Sequence, residues 1–456
     1  MFIRSKLRHQ NPVIVLLIVI LAILGLTNVF STTFVQGQGV SPDFWDQVIF
    51  WILGAFIYLV VSTLDTRMFQ ELKIQIALFV IILVGLIAVL FVGDVVNGTR
   101  RWLSLGAFTL QPSEFAKLVI ITFTASVFTT NRQIILTHLK KLSRKKEKVR
   151  KSLMLSLREN WRVLLNILIV IISVFLTWKQ PSLGNAIIMF SIWGLMLMSF
   201  VPRPRQVYSG ILVVLIGLNL SMQIVNFSGI YNGFDLSFAG IDLGLAAVSL
   251  ILVLIIGKFA RIKPLILVIA LVCGVLLANM ASFGWAHLLS PYQQSRITAY
   301  LNPESDPLGS YWQVEQSKIA IASGQILGKG FLQGTQSSTG LLPFPQTDFA
   351  YAAFTEQFGL VGSMFMLGTY YLLIITILKA GDIQKENFGR ALCTGVAIMF
   401  ALNIIINVGM NLGLMPVTGV PLPLISYGGS SVFVNLIGLG LVQMVYSQPQ
   451  IKTKSR

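Results

Sequence analysis

Polar side chains with catalytic or binding potential lie in three short segments of an otherwise apolar chain. In the first segment, Arg100 and Arg101 precede Trp102. Glu114 and Lys117 follow three residues apart, which places them on one face of a predicted helix. Two guanidinium groups beside an ammonium group suit the oxygens of a phosphate or diphosphate. A structural interpretation is equally open, in which Glu114 and Lys117 neutralise each other and the arginines reach lipid headgroups.

The second segment contains a carboxylate next to aromatic side chains. Asp306 precedes a proline, which is typical of a turn residue, and the alternative is a general base presented by that turn. Tyr311 and Trp312 offer surfaces on which a sugar can pack, and Lys318 closes the segment. Glu304 lies only two residues from Asp306, and this spacing on a loop does not define the separation that a glycosidase carboxylate pair requires.

The third segment leads into a predicted helix. Thr347 or Asp348 is expected to be its N-cap, and Glu356 follows eight residues after Asp348. That spacing is about 12 Å along a helix axis, so the two carboxylates cannot share a proton. A cap with an intramembrane polar contact and a role in a site both remain open. Further on, Ser430 lies in a proline- and glycine-rich run, 416–431, whose irregular backbone must be satisfied by protein or line a water-filled cavity.

Membrane-spanning helices must position these segments. Of 456 residues, 55% are hydrophobic and only 11% are charged, against roughly a quarter charged in soluble domains. This composition excludes a soluble enzyme and predicts an all-α polytopic integral membrane protein. Runs of about 20 apolar residues, the length that spans a bilayer, recur along the chain. The predicted spans are residues 12–30, 47–64, 74–93, 113–130, 162–178, 183–201, 207–226, 241–257, 264–283, 349–378, 391–409 and 430–446.

The distribution of charge predicts how the chain is threaded. The formal net charge is +17, and most of the 34 Lys and Arg residues fall on the loops that this threading places inside. We therefore expect a single membrane domain, 1–456, with both termini cytoplasmic. It has a basic cytoplasmic loop at 131–162 and a large extracytoplasmic loop at 284–347. The basic charge suits a membrane surface, and no nucleic-acid partner is expected.

Four sequence motifs resemble one known family. They are the run 416–431, the segment 98–117, the Asn-Pro-Glu-Ser-Asp-Pro-Leu-Gly motif at 302–309 and Thr-Asp-Phe at 347–349. Together they resemble the SEDS proteins, which serve shape, elongation, division and sporulation. The match covers most of the chain in the correct order, and the Met-Pro-Val-Thr-Gly sequence at 415–419, where the run 416–431 begins, favours the RodA branch over the FtsW branch. Because the family has ten helices, the expected count is about 10–12.

The resemblance implies a peptidoglycan glycosyltransferase that polymerises lipid II at the outer face of the bacterial cytoplasmic membrane. It implies membrane lipids around the chain and a class B penicillin-binding protein as transpeptidase partner, in elongation or division. By motif, Asp306 is the catalytic base, Arg101 and Lys117 stabilise the leaving undecaprenyl diphosphate, and the family admits a divalent cation, Mg²⁺ or Mn²⁺. The predicted substrate-binding residues are Arg100, Arg101, Trp102, Glu114, Lys117, Lys318, Thr347, Asp348 and Ser430.

The chain departs from the family pattern at three positions. Phe344 stands where the family usually has Glu, Gln346 where it has His, and Ser182 where it has Asp. These changes remove titratable groups and metal ligands. Two other functions therefore stay open: a transporter that flips a lipid-linked precursor, and a non-catalytic scaffold for a class B penicillin-binding protein.

Overall fold

Long apolar helices account for most of the chain that the structure describes. The structure is a computed structural model, and it describes residues 9–34, 39–96, 99–105, 108–142, 161–200, 291–301, 309–338, 340–384 and 386–454. The helices are α1 (Pro12–Thr33), α2 (Pro42–Thr63), α3 (Leu72–Val92), α4 (Pro112–Leu142), α5 (Trp161–Lys179), α6 (Leu183–Phe200), α7 (Pro291–Leu301), α8 (Ser310–Ser323), α9 (Thr335–Ser338), α10 (Ala350–Asp382), α11 (Asn387–Asn411) and α12 (Gly429–Lys454), with a 3₁₀ turn at Met68–Gln70.

Seven of the described helices are long and apolar enough to cross a bilayer: α1, α2, α3, α5, α10, α11 and the Gly429–Gln448 part of α12. The predicted spans at 113–130 and 183–201 fall on α4 and α6. The predicted spans at 207–226, 241–257 and 264–283 lie outside the described residues. The prediction of a helical, polytopic membrane protein is confirmed.

Local sequence explains where the first two spans begin. Asn11 caps α1 by accepting a hydrogen bond from the backbone N–H of Val13 at 3.0 Å. Ser41 caps α2 in the same way from Asp43 at 3.3 Å. Each cap is followed by a proline at the first helical position, where the missing N–H costs nothing.

The chain divides into two compact units, residues 1–196 with 295–456 and residues 197–294. The second unit lies almost entirely outside the described residues. Within the first unit, α12 packs against α2, and α11 packs against α10 and α4. In the spanning part of α12, 83% of the residues are buried, against only 17% in that of α3, so α12 is packed inside the protein and most of α3 is not.

A small antiparallel sheet precedes α4 and departs from the predicted all-helical pattern. Its strands are β1 (Asp94–Val96), β2 (Thr99–Leu105) and β3 (Phe108–Leu110), in the order β1-β2-β3. Side chains alternate along β2, so Thr99 and Arg101 are buried while Arg100 is exposed. The sheet therefore directs one of two adjacent arginines into the protein.

The predicted loop at 284–347 also contains helices, α7, α8 and α9. The backbone at Gln325 and Ile326, within this segment, supports a kink in α10 at Gly359, where φ is 63° and ψ is −165°. The N–H groups of Leu360 and Val361, freed by the kink, donate to the carbonyls of Gln325 at 2.9 Å and Ile326 at 3.1 Å. Loop backbone thus satisfies the broken helix.

Candidate functional site

Arg101 is the one of the two predicted arginines that points into the protein. It is buried, and its Nη2 donates to the carbonyl oxygen of Pro181. Arg100 lies on the opposite face of β2, exposed, with its Nη1 3.4 Å from the carbonyl oxygen of Phe91 at the end of α3. Arg100 and Arg101 therefore cannot bind the same phosphate group together.

Three charged side chains converge on Gly419, in the irregular segment between α11 and α12. A Cβ placed on Gly419 would lie 3.6 Å from Arg101 Nη1, 3.6 Å from Asp348 Oδ2 and 3.7 Å from Arg296 Nη1. Gly419 has a φ of +69°, a conformation that favours glycine. We call Arg101, Arg296, Asp348 and Gly419 the arginine ring. It places one carboxylate between two guanidinium groups, which leaves a positive excess.

Asparagines on α11 fix the backbone of Asp348. The Nδ2 atoms of Asn407 and Asn411 both donate to the Asp348 carbonyl at 3.1 Å, and Asn411 Oδ1 accepts from the Ala352 N–H at 3.1 Å. Their spacing of four residues puts both on one face of α11. Burial raises the pKa of Asp348, and the nearby charges of Arg296 and Arg101 oppose that rise.

The predicted N-cap of the helix after Asp348 is wrong. The helix begins at Ala350, and its N-cap residue is Phe349, which makes no side-chain cap hydrogen bond. The side chain of Asp348 instead faces Arg101 and Arg296, the other charged members of the arginine ring. Asn407 and Asn411 hold its backbone in this position. Thr347 contributes its carbonyl oxygen, which accepts from Ser426 Oγ at 2.6 Å.

Glu114 and Lys117 form a buried ion pair on α4, 2.8 Å between Oε2 and Nζ. Lys117 is completely buried and also donates to Asn185 Oδ1 at 3.3 Å. Within the described part of the chain, Glu114 Oε1 has no hydrogen-bond partner. The structural interpretation of mutual neutralisation thus matches this geometry, and direct substrate binding by either residue stays a prediction.

The start of α6 connects this ion pair with the arginine ring. Pro181 accepts from Arg101, and Asn185 accepts from Lys117. Between them, a Cβ on Gly184 would lie only 2.8 Å from Thr418 Cβ, next to Gly419. The absence of a side chain at Gly184 therefore lets α6 approach the segment that carries the ring.

Two predicted residues lie near the sheet. Ser430 Oγ accepts from the Gln111 N–H at 2.9 Å and donates to the Thr109 carbonyl at 3.2 Å, so it joins the end of β3 to the start of α12. Trp102 is half-buried on β2 and pairs with Asp94 across the sheet. Substrate binding by both stays a prediction.

Lys318 makes none of these contacts. Lys318 Nζ is 2.9 Å from Glu315 Oε1 on α8, with its side chain 44% exposed. Asp306, the predicted base, lies outside the described residues, between α7 and α8 in sequence.

The carboxylate of Glu356 on α10 is held by hydrogen bonds within the fold. Its Oε1 accepts from Lys329 Nζ at 2.8 Å and from the Gln336 N–H at 2.8 Å, and its Oε2 accepts from the Ser337 N–H at 3.0 Å. Glu356 therefore anchors the first residues of α9 and the loop that supports the kink.

The described residues do not offer a convincing metal site. Among them, no three His, Cys, Asp or Glu side chains come together. Asp348 is the only carboxylate of the arginine ring, and two neighbouring guanidinium groups repel a divalent cation. The predicted Mg²⁺ or Mn²⁺ has no ligand set in this part of the chain.

A family model described as "Cell cycle protein", covering FtsW, RodA and SpoVE, matches residues 11–233 and 234–450. The chain belongs to this family. It is a multi-pass membrane protein, and the resemblance stated from its motifs is confirmed.

Relatives and solved structures agree with the FtsW/RodA/SpoVE assignment. The chain is 28% identical to "Peptidoglycan glycosyltransferase RodA" of Treponema pallidum, over 90% of this chain and 91% of that one. It is 29% identical to "Peptidoglycan glycosyltransferase MrdB" of Escherichia coli K12, over 98% and 96%. A solved structure described as "Structural coordination of polymerization and crosslinking by a peptidoglycan synthase complex" aligns with a TM-score of 0.59 at 25% identity, covering 96% and 97%. The Thermus thermophilus rod shape determining protein RodA shares the fold, with a TM-score of 0.52 at 22% identity over 96% of each chain.

Sequence reasoning missed Arg296, Asn407 and Asn411 in this family member. The asparagines carried a usable signal, because amide side chains repeated every four residues in an apolar span are expensive in lipid. Arg296 carried none, since a single arginine in a polar loop is common.

Proposed function

We propose that this chain is a peptidoglycan glycosyltransferase that polymerises lipid II at the outer face of the bacterial cytoplasmic membrane, in elongation or division. The observation that carries the proposal is the arginine ring, because its positive excess suits a diphosphate leaving group. The names of the relatives support the same activity.

Arg101 and Arg296 bind the diphosphate of the donor. Each guanidinium offers a planar set of N–H donors that matches phosphate oxygens, and both are already positioned by carbonyl acceptors, Pro181 for Arg101 and Val417 for Arg296. Asp348 lies between them and keeps the two cations oriented. As the bond from the anomeric carbon to the diphosphate breaks, negative charge grows on the leaving oxygen, and these fixed donors stabilise it.

Asp306 is the general base of the proposed reaction. It accepts the proton of the acceptor's 4-hydroxyl while that oxygen attacks the anomeric carbon of the donor, and undecaprenyl diphosphate leaves. Asp306 follows Arg296 by ten residues in sequence. The proposed base and one proposed diphosphate ligand thus belong to the same outer segment. No step passes through a metal ion.

A class B penicillin-binding protein is the proposed transpeptidase partner. The similar solved structure is a peptidoglycan synthase complex that coordinates polymerization and crosslinking, which supports a two-protein arrangement. We further propose that both termini are cytoplasmic, on the grounds of the basic inner loops.

Glycan-strand formation from purified lipid II tests the proposal. The wild-type chain and Asp306→Ala are each co-purified with the candidate transpeptidase, and polymer is separated on gels. Polymer from the wild type alone is expected. Polymer from both would remove Asp306 as the base. Polymer from neither, with the complex intact, would favour the scaffold, and movement of labelled lipid II across vesicles independent of Asp306 would favour the transporter.

A further inference from the structure

A small cavity lies next to the arginine ring, between α7, α8 and the segment that follows α11. Its volume is about 80 Å³, and it opens to the outside of the protein. Arg296 lines the cavity and also belongs to the arginine ring, so the two places share one side chain. The cavity is also lined by Tyr300, Tyr311, Val314, Lys318, Gly413 and Pro416.

The walls of this cavity are fixed by contacts between distant parts of the chain. Tyr300 donates its hydroxyl proton to the carbonyl of Leu414 at 2.9 Å, and Arg296 Nη1 donates to the carbonyl of Val417 at 3.0 Å. These two bonds attach one face of α7 to the segment after α11. The cavity is therefore a built feature and not a gap between independent loops.

The side chain of Lys318 passes close to Gly413 in the cavity wall. Gly413 has a φ of +72°, and a Cβ there would collide with Lys318 Cε and lie 3.1 Å from Nζ. A residue other than glycine would displace the lysine from the cavity. Glycine at position 413 therefore leaves space for the aliphatic part of the Lys318 side chain.

Two cationic side chains, Arg296 and Lys318, line the cavity. Lys318 Nζ donates one of its three protons to Glu315, and that hydrogen bond lowers the pKa of Glu315. The ammonium group also lies 6.0 Å from the ring centre of Tyr311. Because Arg296 also lines the cavity, an anionic group bound there would have two cationic neighbours, of which Lys318 is also paired with Glu315.

The cavity has room for a small anionic group. A space of about 80 Å³ accommodates a group of a few non-hydrogen atoms, such as a carboxylate. In a lipid-linked disaccharide peptide, the sugars are neutral and the diphosphate is assigned to the arginine ring. The free carboxylates of the attached peptide are the anions that remain.

We propose that this cavity is a subsite for a peptide carboxylate of the glycan substrate, bound between Lys318 and Arg296. The proposal rests on the proposed function, because it assumes that the substrate carries a peptide. It makes Lys318 a specificity residue for the peptide, and Arg296 is shared with the diphosphate site.

Steady-state polymerisation tests this subsite with two forms of lipid II, one with free peptide carboxylates and one with the same carboxylates amidated. For the wild type, we expect a KM about tenfold lower for the free form. Lys318→Met removes the charge and should bring the two KM values together. Gly413→Ala should have the same effect by displacing Lys318. The matched control, Lys379→Met at an exposed position on α10, should keep the tenfold preference.

Equal KM values for both substrates in the wild type would overturn the proposal, and so would an equal rise for both in Lys318→Met. Equilibrium binding of the two substrates to the same variants answers the question even when no polymer forms. Failure of polymerisation with retained carboxylate preference would therefore count against the proposed function alone. Polymerisation without any preference would count against the subsite alone. A preference that disappears when anionic lipid is added would identify a lipid phosphate as the ligand and overturn the peptide assignment.

Discussion

Asp348 and Glu356 are two carboxylates, eight residues apart, with opposite environments. Glu356 is completely buried, and both of its oxygens accept hydrogen bonds from backbone N–H groups of α9. Asp348 is half-buried, and its carboxylate faces the cations Arg101 and Arg296 across the space above Gly419. The oxygens of Glu356 are thus occupied by hydrogen bonds within the fold. Asp348, by contrast, lies near two positively charged side chains.

This difference separates a structural charge from a charge that belongs to a binding site. The partners of Glu356 are fixed by the fold, so a ligand would have to break them to bind. The charged neighbours of Asp348 are two arginine side chains whose total charge exceeds its own, so an added anion would meet a net positive charge there. From the sequence, Asp348 was predicted to bind substrate, and Glu356 was not among the predicted site residues.

Glu356→Ala should give the largest effect. It leaves Lys329 and two backbone N–H groups without their acceptor, so we expect a loss of about 3–5 kcal/mol in unfolding free energy. Thermal or denaturant unfolding in detergent measures this loss. Asp348→Ala is the matched control and should unfold much closer to the wild type. Equal destabilisation by the two changes would contradict the structural role given to Glu356.

Arg296→Ala should give the second-largest effect. We expect kcat to fall by about 10²–10³-fold, because this is the usual result of removing one hydrogen-bond donor from a developing oxyanion. Its unfolding midpoint should stay near that of the wild type. Arg100→Ala is the control, because Arg100 lies exposed on the outer face of β2. A kcat that survives in Arg296→Ala would remove this residue from the diphosphate site.

Gly419→Ala should have an intermediate effect. The new methyl group would occupy the space between the three charged side chains and raise the KM by about tenfold, since a phosphate oxygen could no longer enter. The positive φ adds a conformational cost of about 1–2 kcal/mol. Gly340→Ala separates these effects, because Gly340 has a φ of +76° but nothing within 4 Å of its Cβ position. An equal KM change in both variants would point to backbone strain.

Asp348→Asn should give the smallest effect, seen in the pH dependence of stability. Because burial raises the pKa of Asp348 in the folded state, the folded protein holds this proton more tightly than the unfolded chain. Stability from this group is therefore present at low pH and falls as pH rises from the unfolded pKa through the raised folded pKa. Unfolding midpoints measured across mildly acidic pH should show that slope in the wild type and a flatter profile in Asp348→Asn. Identical profiles would mean that the arginines cancel the effect of burial.

Much of the fold was predictable because its signal is local. Each span near 12–30, 391–409 or 430–446 is an apolar run that must form a helix in lipid, whatever its neighbours are. Pro112 marked the start of α4 correctly for a similar reason. The three-stranded sheet was missed because its strands are short and contain charged residues, so their pairing depends on contacts with each other.

The candidate site was predictable only in its composition. The sequence identified Arg101, Glu114, Lys117 and Asp348 as unusual, because charged side chains are costly beside a membrane span. It could not separate Arg101 from Arg100, since that choice depends on which face of β2 is buried. Nor could it find Arg296, which becomes notable only beside Asp348 and Gly419.

The sequence by itself therefore determined a polytopic membrane protein of the FtsW/RodA/SpoVE family, because hydropathy and linear motifs are properties of contiguous residues. Only the tertiary structure decided that Arg101, Arg296 and Asp348 converge on one glycine, while Glu114, Lys117 and Glu356 pair with other partners. The physical reason is that electrostatic interactions depend on distance in space, and residues far apart in sequence become neighbours only when the helices pack.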